Sequence, residues 1–129
     1  MTRQELKAFI HEAYGINPDR PWLKFPSYEV FRHSGNKKWF AVIMDIPKSK
    51  LGINSGENIS VVNLKCDTIM LSDMLSEKGI YPAYHMNKSY WVTAALDGST
   101  EDETVKMLTR MSFKLTETKR KACDPLKSN

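Results

Sequence analysis

His85-Met86-Asn87-Lys88 is the strongest local grouping of chemically useful side chains, and it lies just before a predicted strand. A loop there could present an imidazole for acid–base chemistry, an amide for hydrogen bonding and an ammonium for electrostatic binding. A structural interpretation is also open, since Asn87 favours a turn and His85 could hydrogen-bond to backbone. We favour the structural interpretation, because catalysis needs a second partner that this spacing does not supply.

Binding of a ligand by the same region is the alternative. Tyr90 and Trp91 follow the run and point to opposite faces of the predicted strand. Together with His85 and Asn87, they are candidates to line a groove between the sheet and the helices. Tyrosine and tryptophan suit such sites, because each combines a large apolar ring with one polar tip.

Cys66 is the other candidate for chemistry. A thiol near a helix N-terminus can have a lowered pKa and act as a nucleophile. The neighbouring Asp67 opposes formation of a thiolate, and a cysteine at a strand end is typically a small buried filler. We therefore predict an unreactive thiol and no catalytic residue.

The sequence predicts neither a metal nor a cofactor. His11, His33 and His85 are scattered, and Cys66 and Cys123 do not form a Cys-x-x-Cys pair. No glycine-rich loop of the dinucleotide-binding or Walker type is present. We therefore predict a protein that is not an enzyme.

Six basic residues are candidates to contact nucleic-acid phosphates. They lie in predicted turns and loops that could reach a duplex without disturbing the sheet: Arg32, Lys37, Lys38, Lys48, Lys50 and Lys88. The formal net charge of +4 favours an anionic partner. No helix-turn-helix or zinc-finger pattern is present, so binding to DNA should be directed at phosphates and weakened by salt. The alternative is that these lysines only keep turns and strand edges soluble.

Phosphate-directed binding of DNA is the leading hypothesis from the sequence. The runner-up is an interaction module that binds a protein or a small ligand, or associates with itself. It is supported by the number of aromatic residues: Trp22, Trp39, Trp91, Tyr28, Tyr81, Tyr84 and Tyr90. Most of these are expected to pack in the core or in the connector, because a small domain needs large side chains to bury enough area. The oligomeric state is left open.

The elements that position these residues begin with a helix. Thr2 and Glu5 form a predicted capping box, and apolar residues then recur at helical spacing up to Gly15. A proline-containing connector follows. Two strands, 28–33 and 38–46, are joined by a turn at 34–37. A loop at 47–57 precedes a third strand that begins at residue 58 or 59 and ends at Lys65.

The second half of the chain contains two more predicted helices and one strand. Asp67 is expected to cap a short helix with an apolar stripe, and Gly79 to stop it: Met70, Leu71, Met74 and Leu75 form the stripe. Residues 90–96 read as a strand. Thr100 and Glu103 form a second predicted capping box, which opens the last helix.

These elements predict one α+β domain over residues 1–129, an antiparallel β-sheet with helices packed on one face, and a frayed tail at 119–129. The N-terminus lacks the apolar run of a signal peptide, and no stretch approaches the ~20 apolar residues of a membrane span. Together with the lack of a disulfide framework, this predicts a cytoplasmic protein with no membrane partner.

Several runs resemble the MmcQ/YjbR family: Pro21-Trp22, Tyr28 to Arg32, Lys38-Trp39-Phe40-Ala41, Lys65-Cys66-Asp67, the stretch from His85 to Trp91, and Leu96-Asp97-Gly98-Ser99. The resemblance covers nearly the whole chain. It implies a frataxin-like (CyaY-like) two-layer sandwich and a proposed role in binding DNA. Thr68 departs from the pattern, since relatives often have proline there. The iron binding of frataxin is not carried over, because Glu5 and Glu12 on the first helix are matched by Arg3 and Lys7.

Overall fold

A five-stranded antiparallel sheet organises residues 1–117, the part of the chain that the computed structural model describes. The spatial order of the strands is β1-β2-β3-β5-β4. Their bounds are β1 Glu29–Arg32, β2 Trp39–Pro47, β3 Asn58–Lys65, β4 Ile80–Pro82 and β5 Trp91–Ala95. The helices in this range are α1 Arg3–Tyr14, α2 Leu71–Leu75 and α3 Asp102–Thr116, with a 3-10 helix at Lys48–Leu51.

The sheet is apolar on both faces. One face packs against all three α-helices, whose buried contributions include Leu6, Met74 and Leu108. We call the opposite side the outer face. Its buried residues are Val30, Val42, Met44, Ile46, Ile59, Val61 and Ala95. This arrangement confirms the predicted α+β class, with helices on one face of an antiparallel sheet.

Irregular segments cover the outer face, since no α-helix in residues 1–117 contributes to its cluster. The partly buried side chains packed there come from the connector before β1, the start of β2, the 3-10 helix, β4 and the β4–β5 loop: Trp22, Tyr28, Trp39, Leu51, Tyr81 and Tyr84. Backbone that is not in a helix must find other hydrogen-bond partners. These segments are therefore fixed by a few specific contacts.

Helix α1 begins and ends as predicted, with a capping box between Thr2 and Glu5 and Gly15 in the left-handed conformation at its C-cap. Its basic residues hold a buried carboxylate on β1. Glu29, which is 3% exposed, accepts hydrogen bonds from Arg3 at 3.1 Å, Lys7 at 2.9 Å and Arg20 at 2.7 Å. Three cations therefore surround one buried acid.

The predicted start of α2 is wrong. Asp67 accepts a hydrogen bond from the amide of Ile69 at 3.0 Å, so its side chain closes a turn instead of capping a helix. The helix begins four residues later, at Leu71. The apolar stripe is confirmed, because all four of its residues pack into the helix-side core. Strand β4, which the sequence analysis did not predict, follows Gly79.

The second predicted capping box is also wrong. Thr100 is buried, and its hydroxyl lies 3.0 Å from the carbonyl oxygen of Ala95 and 3.2 Å from that of Gly79. Helix α3 starts instead from Glu101, with no side-chain cap. Gly79 has a φ of 83°, and a Cβ there would lie 2.0 Å from Thr100 Oγ1. Thr100 therefore anchors the chain just before β4. Only glycine fits at position 79, because a Cβ there would collide with the Thr100 hydroxyl.

Among the helices of residues 1–117, none is long and apolar enough to cross a membrane. The predicted frayed tail, 119–129, and Cys123 lie outside the described residues.

The Glu29 cluster gives the fold a dependence on pH. Burial by itself raises the pKa of the Glu29 carboxyl, but hydrogen bonds from Lys7 and Arg3 and the charges of Lys7 and Arg20 outweigh it, so the pKa lies below the ordinary 4.5. A group whose pKa is lower in the folded state than in the unfolded state stabilises the fold at pH values above its unfolded-state pKa. That stabilisation is lost as the pH falls through the folded-state pKa.

We expect Glu29→Gln to lower the free energy of unfolding by about 3 kcal/mol at pH 7, because it leaves partly buried cations without a counter-charge. The difference from wild type should shrink as pH falls below 4.5. Urea denaturation across pH measures both. Glu57→Gln is the control, because Glu57 pairs with Lys48 at the surface and the Glu57 side chain is 79% exposed. A loss that is the same at pH 7 and pH 3 would contradict this account.

Candidate functional site

A groove of about 320 Å³ opens on the outer face of the sheet. Its walls come from the connector before β1 and from the β4–β5 loop, and its floor from β2 and β3. The lining residues are Trp22, Phe25, Tyr28, Trp39, Val42, Met44, Asn63, His85 and Met86. A site of this size accommodates a small ligand.

Aromatic rings form the connector wall. Trp22 packs edge-on against Trp39, with centroids 5.6 Å apart and planes at 85°, and against Tyr28 at 5.9 Å and 86°. Phe25 stacks on Tyr28 at 5.0 Å. Perpendicular packing of this kind is a favourable aromatic geometry, so the rings hold one another in place. Phe25 is nevertheless 51% exposed, and the neighbouring Leu23 is 96% exposed.

The connector is fixed to the edge of the sheet by its backbone. Asp19 pairs with Val30 of β1 through two backbone hydrogen bonds, of 2.8 and 2.9 Å. Turns then bring the amide of Phe25 to the carbonyl of Trp22 at 3.1 Å, and the amide of Tyr28 to the carbonyl of Phe25 at 3.0 Å. These bonds place the ring of Trp22 beside β2.

A buried polar network fixes the opposite wall. Asn63 on β3 donates to the carbonyl of Tyr84 at 2.7 Å, and Thr93 on β5 donates to Asn63 Oδ1. The hydroxyl oxygen of Thr93 in turn accepts from the amide of Tyr84 at 2.9 Å. Asn63 and Thr93 are fully buried, so these bonds form away from water. The network holds the β4–β5 loop against the sheet.

His85 is the predicted groove residue that does line this groove. Its φ of 59° lies in the left-handed region, which is uncommon for a residue other than glycine and often marks a functional position. Its ring packs on Tyr84 with centroids 3.9 Å apart. The imidazole is therefore held at the rim by both backbone and side-chain constraints.

The other three predicted groove residues lie outside the lining. The side chain of Asn87 accepts from the amide of Ser89, and its carbonyl from the amides of Tyr90 and Trp91, so it shapes a turn. Tyr90 is 47% exposed, and Trp91 is half-buried on β5 opposite Lys65. The groove also lies on the face opposite the helices. The prediction that it lies between the sheet and the helices is therefore wrong.

Two of the six predicted basic residues are paired with acids. Arg32 donates through Nε to Asp19 at 2.6 Å, and Lys48 lies 3.4 Å from Glu57. Lys37, with a φ of 63°, and Lys38 are exposed in the β1–β2 turn.

Lys50 and Lys88 lie together at a second, shallow depression of about 180 Å³. Its other lining residues are Leu51, Tyr81, Pro82, Ala83 and Tyr84. Lys50 and Lys88 come from the 3-10 helix and the β4–β5 loop, so the structure brings two of the six residues to one site.

Cys66 is buried in the helix-side core, as predicted. Burial raises the pKa of its thiol, and the charge of Asp67 raises it further. The thiol is therefore protonated at neutral pH. Within residues 1–117, no three His, Cys, Asp or Glu side chains are grouped closely enough to hold a metal ion.

Sequence reasoning missed most of the groove. It assigned Trp22, Tyr28 and Trp39 mainly to packing, and it gave Met44 and Met86 no role in a groove. One pattern could have found them, because β2 is apolar at positions that face both sides of the sheet. A strand of that kind needs cover on its second side.

A family model described as YjbR matches residues 11–115. The chain is 35% identical over 116 residues to "Uncharacterized protein YyaQ" of Bacillus subtilis (strain 168), which covers 90% of this chain and 98% of that protein.

Two solved structures are similar. A crystal structure of a Pseudomonas syringae protein has a TM-score of 0.88 at 44% identity, covering 91% of this chain and 100% of that one. The crystal structure of the Deinococcus radiodurans protein DR2400 has a TM-score of 0.69 at 23% identity, over 94% of this chain and 83% of that one, which shows a shared fold.

We expect Thr93→Val to lower the free energy of unfolding by about 2 kcal/mol, because it leaves the buried Tyr84 amide and Asn63 Oδ1 without partners. Hydrogen exchange at the Tyr84 amide should also accelerate. Thr109→Val is the control, since that buried hydroxyl donates only to the carbonyl of Val105, four residues earlier in α3. Equal losses in the two variants would mean that the network does not hold the loop.

Proposed function

We propose that this chain, which belongs to the YjbR family, is a non-enzymatic binding protein that takes a small ligand in the outer-face groove. The family resemblance noted in the sequence is thereby confirmed. The proposal follows the interaction-module hypothesis and moves its site to the outer face.

The aromatic lining of the groove carries the proposal. Rings of Trp22, Tyr28 and Trp39 line a partly open space on the outer face. Phe25 leaves half of its surface in water beside them. Concave sites with apolar and aromatic walls are where proteins bind small molecules.

The chemistry of the lining supports binding without catalysis. Within the described part of the chain, no carboxylate, thiol or serine lines the groove with His85. A general base acts through a positioned second group or a nucleophile, and the thiol of Cys66 is buried on the helix side. His85 is therefore better suited to contact a ligand than to transfer a proton.

We expect naphthalenemethanol, a neutral planar probe, to shift the methyl resonances of Met44 and Met86 in a protein with labelled methionine methyls, because both line the groove. Met74, in the helix-side core, should not shift. Phe25→Ser should weaken binding about tenfold through lost apolar contact. Ile69→Ser is the matched control, since Ile69 is 87% exposed and does not line the groove. No methyl shift at millimolar probe would refute the proposal.

Phosphate-directed binding of DNA is the second candidate, and it is favoured by the meeting of Lys50 and Lys88 at one depression. Two tyrosines, Tyr81 and Tyr84, line the same depression and offer rings for stacking if the strand is single. Lys37 and Lys38 add exposed charge at the β1–β2 turn. Arg32 and Lys48 are each paired with an acid, and neither lines this depression.

If DNA binds there, affinity for short single- and double-stranded oligonucleotides should fall steeply between 50 and 200 mM salt, on the order of tenfold or more for a few phosphate contacts. Lys50→Gln and Lys88→Gln should each reduce the salt slope by about one. Lys114→Gln, at an 82% exposed lysine on α3, is the control. Binding that all three variants weaken equally, or no binding at low salt, would remove this candidate.

A further inference from the structure

Resting on the proposed function of the groove, we propose that its ligand is a small planar aromatic acid. The aromatic part occupies the groove, and the acidic group pairs with the guanidinium of Arg32 at the Trp39 end. This assigns Arg32 a role in specificity, in place of the phosphate-binding role that the sequence analysis gave it.

Two of the three acids next to the groove point away from it, and the third, Asp19, is paired with Arg32. Glu29 and Asp45 are the sequence neighbours of Tyr28 and Met44, but strand alternation turns both toward the helix side. There Arg3 binds them both, at 3.1 Å and 2.6 Å. Among residues 1–117, no carboxylate lines the groove. An anion entering the groove therefore meets no unpaired negative charge from these positions.

Three exposed lysines are close in sequence to residues that line the groove. Lys24 precedes Phe25, Lys38 precedes Trp39, and Lys88 follows Met86 by two residues, and all three are exposed. In contrast to Lys7, which is held by Glu29, none of these three lysines is in an ion pair within residues 1–117. Unpaired lysines near the ends of the lining segments favour an anion over a cation as the ligand.

Arg32 is the cation best placed to make a specific contact. Its guanidinium carbon lies 5.5 Å from the centroid of Trp39, a lining residue. The Nε of Arg32 donates to Asp19 at 2.6 Å. Within residues 1–117, this is the one hydrogen bond that the guanidinium makes. The two terminal nitrogens remain as donors, and a guanidinium fork binds carboxylate, sulfonate or phosphate oxygens well.

The same geometry disfavours a cationic ligand. Aromatic cages bind quaternary ammonium groups through ring faces that no other cation occupies. Here Arg32 already lies over Trp39, and the groove lining supplies no carboxylate to offset a second positive charge. The rings are therefore more useful for stacking on a planar aromatic group than for holding a cation.

Three probes with the same ring system test the proposal: naphthalenesulfonate, naphthalenemethanol and naphthylmethylammonium. Calorimetry gives the affinities, and the methyl shifts of Met44 and Met86 show whether each probe occupies the groove. We expect the sulfonate to bind about tenfold more tightly than the alcohol, as one charge-assisted interaction would give, and the ammonium to bind most weakly.

Two variants locate the acidic group. Arg32→Gln should weaken the sulfonate about tenfold and leave the alcohol unchanged, which controls for collapse of the groove. Asp19→Asn breaks the same ion pair but keeps the guanidinium, so it should leave sulfonate binding unchanged or strengthen it. The backbone bridge between Asp19 and Val30 remains available in both variants.

The outcomes separate this inference from the proposed function. Equal affinity of the three probes, with shifts at both methyls, would overturn the preference for an acid and keep the groove as a binding site. Loss of alcohol binding in Arg32→Gln, or equal loss of sulfonate binding in both variants, would reduce Arg32 to a structural role and overturn the inference. No shift with any probe would overturn the proposed function as well.

Discussion

The structure depends on one constraint: the sheet is apolar on both faces, while the α-helices of residues 1–117 cover only one of them. Apolar surface left in water costs roughly 25 cal/mol per Å², so the outer face cannot stay bare. The connector, the 3-10 helix and the β4–β5 loop supply the cover. Their side chains are large and aromatic, which lets short segments bury a wide area.

Cover of this kind differs from a helix layer. A helix satisfies its own backbone and presents a continuous apolar stripe, whereas irregular segments are fixed only where specific bonds hold them. Here those bonds are the Asp19–Val30 bridge on one side and the Asn63–Thr93 network on the other. Between the two anchored segments the sheet is left partly open, and that opening is the groove. The groove is thus a consequence of how the second face is covered.

Charge follows the same division into two sides. On the helix side, Glu29 and Asp45 are both held by Arg3 of α1. On the outer side, Arg32 is the charged group that packs over a groove ring. Strand alternation explains the separation, because successive residues face opposite sides of the sheet. The two acids next to Tyr28 and Met44 are therefore bound by Arg3 on the helix side, whereas Arg32, paired with Asp19, lies on the groove side.

The sequence by itself determined the α+β class, the first helix with its caps, the hairpin and the unreactive Cys66, because each follows from local spacing or composition. It could not place Thr100, whose hydroxyl binds backbone about 20 residues away at Gly79, nor the start of α2, where a turn at Asp67 competes with helix capping. The groove also needed the tertiary structure. Trp22, Trp39 and His85 are far apart along the chain, and only strand pairing and the two anchored segments bring them to one face.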